Sequence, residues 1–171
     1  MNTLHADVRG CIEILKIRLG LDAYAVQIEP ESQEYGAASC QLGSFTVLLR
    51  VAKKTPTKVG QFVTLWKRIG DGPIMPFNNI DQIDFVIVWV SCHERQGFFI
   101  FPQSVLVDQG VFSSSDQSGK RALRVYPPWD IVESKQAYTT QLWQLEYFIN
   151  ISLNKACDVL KVKNILYGLI A

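Results

Sequence analysis

The chain has 171 residues, of which 48% are hydrophobic and 19% are charged, and its formal net charge is +1. This length suits one domain over residues 1–171, and nine Phe, six Tyr and four Trp argue against a disordered chain. We find no apolar run of the roughly 20 residues that span a bilayer and no signal peptide, so we expect a cytoplasmic protein with no membrane partner.

The N-terminal segment predicts an amphipathic helix followed by a short strand. Apolar residues recur at helical spacing from Val8 to Leu19, with Asp7 as the predicted N-cap and Gly20 as the end of the helix. Residues 24–28 then alternate loosely between apolar and polar, as a short strand does. The helix therefore has one apolar stripe to bury.

Two strands over residues 35–42 and 44–52, tightly joined by one glycine, predict a β-hairpin. The second strand is almost entirely apolar, which is typical of a strand covered on both faces. Thr55 and Pro56 then predict the start of a second helix, with Thr55 as its N-cap and Gly70 at its end. Four apolar side chains of this segment recur at i, i+3, i+4 and i+7, namely Val59, Phe62, Val63 and Trp66.

The rest of the chain alternates between predicted strands and helices. The predicted elements are a central strand (84–90), another strand (98–101), a short helix (104–109), a polar loop (110–120), a strand (122–126) and a long helix (137–154) with Leu142 on its apolar side. An apolar tail follows, and its pattern does not distinguish helix from strand. The order predicts an α/β (α+β) fold in which helices flank a mixed β-sheet.

The segment from Arg50 to Arg68 carries a local positive charge that the net charge conceals. It contains six of the 17 Lys and Arg residues, namely Arg50, Lys53, Lys54, Lys58, Lys67 and Arg68, and no Asp or Glu occurs between residues 35 and 70. The cations where the strand meets the predicted helix favour a phosphate-binding edge, because the N–H groups at a helix start also attract anions. The alternative is a solvated surface that binds nothing.

A second basic segment, over residues 119–129, mixes positive charge with aromatic rings. Its candidate residues are Lys120, Arg121, Arg124, Tyr126 and Trp129. The mixture is typical of proteins that bind single-stranded nucleic acid, because cations contact phosphates while rings stack on bases. The alternative is that both rings belong to the core and that the neighbouring prolines stiffen a turn.

Three acids beside the hairpin, Glu29, Glu31 and Glu34, form a further candidate cluster. Carboxylates next to lysines are able to hold Mg²⁺ for phosphodiester hydrolysis, although we favour a solvated loop. His5 and His93 are isolated, and the four cysteines are scattered without a CxxC pair. We therefore expect reduced thiols, no metal site and no cofactor.

Five segments of the sequence resemble the MepB family of bacterial proteins. In chain order they are YGAASCQL, RVAKKTPTKVGQFVTLWKR, GPIMPF, GFFIFPQSVL and KRALRVYPPWD. The resemblance runs from residue 29 to the helix after Asp130, and RVAKKTPTKVGQF and RVYPPWD are its most specific motifs. The chain is therefore identified as a member of this family.

MepB-like proteins resemble the PD-(D/E)XK nuclease superfamily, whose αβββαβ core agrees with the predicted order. That superfamily takes one acid from its second core strand and an acid-x-Lys triplet from its third, and the carboxylates bind Mg²⁺. On this sequence the lysine falls on Lys53, but Val51 occupies the position of the acid two residues earlier. The other acid should lie within residues 36–38, where none occurs. The resemblance thus implies a nuclease fold with a degenerate active site.

These observations favour a non-catalytic nucleic-acid-binding protein with a basic cleft and low sequence specificity, and they favour single-stranded DNA or RNA slightly. One alternative is a Mg²⁺-dependent nuclease in which Glu31 or Glu34 is relocated beside Lys53. Another is a module that binds a phosphate-bearing ligand or an acidic partner. The sequence leaves the oligomeric state undetermined.

Overall fold

The computed structural model describes residues 3–152 and 158–168. Within these residues the α-helices are α1 (Ala6–Leu19), α2 (Gln103–Asp108), α3 (Lys135–Leu145) and α4 (Val159–Tyr167). The strands are β1 (Ala23–Ile28), β2 (Ala38–Leu42), β3 (Phe45–Val51), β4 (Lys53–Lys54), β5 (Gln61–Thr64), β6 (Trp66–Lys67), β7 (Met75–Pro76), β8 (Phe85–Cys92), β9 (Arg95–Pro102), β10 (Ala122–Val125) and β11 (Phe148–Asn150). None of these helices is both long enough and apolar enough to cross a membrane.

A six-stranded sheet in the order β1-β2-β3-β8-β9-β11 forms the centre of the fold. Strands β3 and β8 run parallel, whereas the other neighbouring strands are antiparallel. Leu42 pairs with Phe45 across the tight turn between β2 and β3, so the predicted hairpin is confirmed. The central position predicted for the 84–90 strand is also confirmed, because β8 lies between β3 and β9.

Each face of this sheet packs into its own hydrophobic cluster. On one face, the stripe of α1 that ends at Leu19 packs together with Val162 and Leu166 of α4. On the other face, Leu106 of α2 and Val63 of β5 belong to a second cluster. Alternate residues of β3 enter the two clusters, which explains its almost continuous apolar sequence. The mixed sheet with helices on its faces is the α+β class predicted from the sequence.

The helix predicted from Pro56 to Gly70 is wrong, because this segment forms the short strands β5 and β6 after a turn. Gln61, Val63 and Leu65 are buried, whereas the residues between them are only partly buried, so the segment has the two-residue period of a strand. Of the four apolar residues whose spacing suggested a helix, only Val63 is among these buried residues. Hydrogen bonding to two neighbouring strands favours the strand over the helix, since β5 lies between β4 and β10.

The long helix predicted over residues 137–154 is also wrong in extent, because α3 ends at Leu145 and strand β11 follows. Strand β11 pairs with β9, where the ring of Phe148 lies so close to Gly97 that any Cβ there would collide with it. Leu142, placed on the apolar side of that helix, is 52% exposed. Asn154, its predicted end, lies outside the described residues.

Helix α1 follows its prediction except at its first residue. His5 is the N-cap instead of Asp7, and its Nδ1 accepts a hydrogen bond from the Asp7 N–H at 3.2 Å. Gly20 ends the helix in the left-handed conformation, with φ 66°, as predicted.

The described cysteines are free thiols. Cys11 and Cys40 are buried, and burial raises the pKa of Cys11 to about 12 and that of Cys40 to about 11. Cys92 is partly exposed at the end of β8. These three agree with the expectation of reduced thiols, and Cys157 lies outside the described residues.

Candidate functional site

A small sheet in the order β10-β5-β4 brings the two basic segments of the sequence together. In its register, Lys53 lies opposite Phe62, which lies opposite Arg124 on its other side. Cross-strand partners project from the same face, so these three side chains share one face of the small sheet. Lys54 follows Lys53 in β4 and therefore projects from the opposite face.

Cations and aromatic rings alternate along the face that carries Lys53. The Lys53 Nζ lies 5.0 Å from the centre of the Tyr35 ring, and the Arg124 guanidinium carbon lies 5.8 Å from that of Phe62. The two rings meet edge to face, with their centres 5.9 Å apart. Burial, and secondarily the charge of Glu34, raise the pKa of the Tyr35 phenol, which therefore stays neutral. This aromatic row, Tyr35 and Phe62, offers ring surface between two positive charges.

Sequence reasoning missed both rings of the aromatic row as site residues. The sequence pattern predicts Phe62 on the apolar face of a helix and Tyr35 at the start of a strand. The sequence carries no clear signal for Phe62, because Phe62 and Val63 are both apolar and the alternation of burial from Gln61 to Leu65 exists only in the folded chain. Tyr35 joins it only because its 3-10 helix, Gln33–Tyr35, lies beside the small sheet.

Three further cations, Lys58, Lys120 and Arg121, are exposed around the small sheet. Neither these nor Lys53 form an ion pair with any residue in the described ranges 3–152 and 158–168. We define the basic surface by the cations that the small sheet brings together, namely Lys53, Lys54, Lys58, Lys120, Arg121 and Arg124. The structure therefore places six of the nine predicted cations around one small element.

A groove of about 490 Å³ lies between β10, the turn before β5 and the start of α3. Its cations are Lys58, Lys120 and Arg124, and Glu133 contributes a carboxylate. The ring of Tyr126 also lines it. The groove thus combines positive charge with an aromatic ring in one concave space, as ligand sites commonly do.

Arg50 does not belong to the basic surface, contrary to the prediction. Its side chain is fully buried, and its Nη2 donates to the Glu29 carboxylate at 2.7 Å. It also donates to the backbone carbonyls of Leu49 and Thr64. Such a buried, paired guanidinium holds the loop before β2 against the small sheet and cannot reach a phosphate.

Lys67 and Arg68 each form an ion pair with an acidic side chain. The Lys67 Nζ lies 2.6 Å from Asp81, and the Arg68 Nε lies 2.6 Å from Glu31. The hydrogen bond to Glu31 raises the pKa of Arg68.

Because Glu31 is engaged in the pair with Arg68, it is not an acid relocated beside Lys53. Glu34 is exposed, and the described residues contain no group of three or more His, Cys, Asp or Glu side chains arranged to hold a metal ion.

Lys54 points to a different neighbourhood from Lys53. Its Nζ donates to the Cys92 sulfur at 2.8 Å. Lys54 also interacts electrostatically with the half-buried Asp130. Burial raises the pKa of the Asp130 carboxyl, and the positive charge of Lys54 partly offsets this rise. One oxygen of that carboxyl is buried without a hydrogen-bond partner in the described chain. Lys54 is therefore partly committed to its own surroundings.

Of the two candidate rings near Arg124, only Tyr126 lies at the groove. Trp129 packs edge to face on Phe148, with ring centres 5.7 Å apart, and adjoins the second hydrophobic cluster. Trp129 therefore belongs with the core, which is the alternative that the sequence left open. The backbone N–H of Tyr126 donates to the buried side chain of Gln144, so α3 holds β10 in place.

Val51 and residues 36–38, where the resemblance to nucleases implies acids, lie close together in the structure. A Cβ built on Gly36 would be 3.0 Å from Val51 Cγ2 and equally close to Val8 Cγ2. Val51 is 6% exposed, and Ala37 and Ala38 are buried beside it. Apolar side chains fill this corner, and none of them is able to ligate a cation.

The chain is similar to known proteins over most of its length. A family model described as MepB-like matches residues 29–150. A solved structure described as "Crystal Structure of MepB" is 32% identical, covers 88% of this chain and 99% of that chain, and superimposes with a TM-score of 0.75. No curated protein matches the chain. The range matched by the family model includes the small sheet and the groove, whereas α1 and α4 lie outside it.

Proposed function

The chain belongs to the MepB-like family, and from its basic surface we propose that it binds nucleic acid without cutting it. The observation that carries the proposal is the basic surface, where cations from two distant segments meet on the small sheet. Five of its six cations are exposed and form no ion pair within the described residues, so their charge is available to phosphates. Such contacts supply most of the affinity for nucleic acid in non-specific binding.

The aromatic row favours single strands over duplexes. Tyr35 and Phe62 lie between Lys53 and Arg124, so rings and cations alternate at short range. Only an unpaired base exposes a face for stacking, and each stacked base contributes about 1–3 kcal/mol. Phosphate contacts and stacking carry little sequence information, so we expect low sequence specificity.

The corner at Gly36 and Val51 supports the non-catalytic part of the proposal, and with it a degenerate relationship to the PD-(D/E)XK nucleases. In that superfamily two acids would meet here and share Mg²⁺. In this chain Gly36 lies next to Val51, which is the last residue of β3 and stands two residues before Lys53. The parallel arrangement of β3 and β8 after an antiparallel hairpin agrees with such a core, although a small sheet replaces the expected crossover helix.

A salt titration of single-stranded DNA and RNA binding tests the proposal. In the variant Lys53→Ala/Lys54→Ala/Arg121→Ala, affinity should fall, and the slope of log K against log salt should become shallower by about 2, since each phosphate contact contributes roughly 0.7. The control Arg9→Ala/Lys16→Ala/Lys163→Ala removes the same charge from exposed positions on α1 and α4 and should leave the slope unchanged.

Two results would contradict the proposal. Absence of binding, or equal effects of the two triple variants, would show that the basic surface does not hold phosphates. Cleavage of plasmid or single-stranded DNA with Mg²⁺ or Mn²⁺ that is lost in Lys53→Ala would instead identify a nuclease.

A further inference from the structure

The groove has the size and position of a site for one small unit of a ligand. Its volume of about 490 Å³ falls within the range that small-molecule sites occupy, roughly 300–1,000 Å³. It lies beside the basic surface and shares Lys58, Lys120 and Arg124 with it. A strand bound along the basic surface would therefore be able to place one end in the groove.

The charge of the lining matches a phosphate monoester better than a diester. Three cations and one carboxylate, Glu133, give the groove a formal charge of +2. A terminal phosphate carries about −1.5 to −2 at neutral pH, whereas a phosphodiester inside a strand carries one negative charge. The groove therefore favours the phosphorylated end of a strand, or a free nucleotide, over an internal linkage.

Arg124 is held in place before any ligand arrives. Its Nη1 donates to Thr55 Oγ1 at 3.0 Å and to the carbonyls of Val59 and Gly60 at 3.3 Å each. No hydrogen bond from its Nε or Nη2 is found in the described chain, so these donors of the fork remain available. A preorganised guanidinium loses little entropy when it binds a phosphate.

The other walls of the groove suit the remaining parts of a nucleotide. Ser134 caps α3, whose first N–H groups and positive end add to the attraction for a phosphate. Tyr126 supplies a ring for a base, and Val59 and Val132 add apolar surface. Glu133 offers an acceptor to the sugar hydroxyls.

We propose that the groove binds a single nucleoside 5′-phosphate unit, either as a free nucleotide or as the 5′-phosphorylated end of a single strand. The free nucleotide and the strand end share the same chemistry, and the experiment below separates them. This inference rests on the proposed function and deepens it, since it adds recognition of an end to general binding along the strand.

The test compares a short, 3′-labelled single strand that carries either a 5′-phosphate or a 5′-hydroxyl, by fluorescence anisotropy. The phosphorylated strand should bind about tenfold more tightly, the effect of one additional hydrogen-bonded ion pair. In Lys58→Ala/Lys120→Ala, whose two side chains are exposed, this ratio should fall to about one. In the matched variant Lys53→Ala/Arg121→Ala, both strands should weaken while the ratio persists.

Competition with uridine 5′-monophosphate, and with uridine as its control, distinguishes the two sources. If the monophosphate displaces the phosphorylated strand and uridine does not, the groove binds free nucleotides. If neither displaces it while the preference for the 5′-phosphate persists, the groove binds strand ends.

Equal affinity for both strands, or a preference that survives in Lys58→Ala/Lys120→Ala, would overturn the groove inference and leave the proposed function standing. If calorimetry shows binding of the monophosphate but no strand binds, the proposed function is contradicted and the groove inference stands.

Discussion

Glu29 and Arg50 form a buried ion pair that joins the loop before β2 to the centre of the fold. The Arg50 side chain is fully buried and that of Glu29 is 23% exposed. Glu31, two residues further on, forms a second Glu–Arg pair with Arg68, but both of its members are more than a third exposed. Water screens the exposed Glu31–Arg68 pair but not the buried Glu29–Arg50 pair. The two ion pairs therefore contribute differently to stability, although their contacts are similar.

Substitution of Glu29 by Ala should lower the free energy of unfolding by about 3–5 kcal/mol, because it leaves the Arg50 guanidinium buried without its counter-charge. Substitution of Glu31 by Ala should cost no more than about 1 kcal/mol. Urea unfolding followed by circular dichroism measures both. Similar losses for the two variants would show that Arg50 reaches water, and would return it to the candidates for phosphate binding.

The turn between β4 and β5 decides how the small sheet presents its side chains. Gly60 adopts φ +85°, and a Cβ at this position would lie 2.7 Å from the Tyr126 ring and 3.0 Å from Arg124 Cγ. Only glycine allows both the left-handed backbone and this close approach. The turn thereby places its own carbonyl groups within reach of the Arg124 guanidinium.

The substitution Gly60→Ala should destabilise the protein more than Gly43→Ala does. Both glycines have positive φ, which costs about 1–2 kcal/mol with any side chain, but Gly43 faces open space. The clash with Tyr126 should add about 1–3 kcal/mol at Gly60. Thermal and urea unfolding of the two variants check this. If the losses are equal, the Tyr126 ring moves aside freely and does not form a fixed wall of the groove.

The two faces of the main sheet are covered by different elements. Helices α1 and α4 cover one face, and the other face carries the small sheet with the basic surface and the groove. The family model matches residues 29–150 and thus includes neither covering helix. Stability contributed by α4 and binding at the small sheet should therefore be separable.

The variants Leu166→Ala and Leu160→Ala test this separation within one helix. Leu166 is 5% exposed in the first cluster, so truncation should cost about 2–5 kcal/mol through the cavity left behind. Leu160 is 69% exposed, and its truncation should stay within about 0.5 kcal/mol. Below their unfolding temperatures, both should bind single strands as the parent does. An equal loss of stability would mean that α4 does not pack on the sheet.

Several features of the fold follow from the sequence alone, because they depend only on neighbouring residues. Helix α1 with Gly20 at its end, the β2–β3 hairpin and the central strand β8 each follow from a local pattern of apolar residues and turns. The segregation of charge between residues 35 and 70 was also visible in the sequence. These features needed no knowledge of distant contacts, because spacing and turn chemistry act over a few residues.

The roles of the cations and the fold of residues 61–64 depend on contacts between residues that are distant in the sequence. The apolar spacing there suits a helix or a strand, and pairing with β10 selected the strand, because it buries Val63 and satisfies the backbone. Arg50 and Lys53 are three residues apart, yet one is buried against Glu29 and the other is exposed. Whether a charge is free depends on which groups lie close in space, and a linear pattern does not contain those distances.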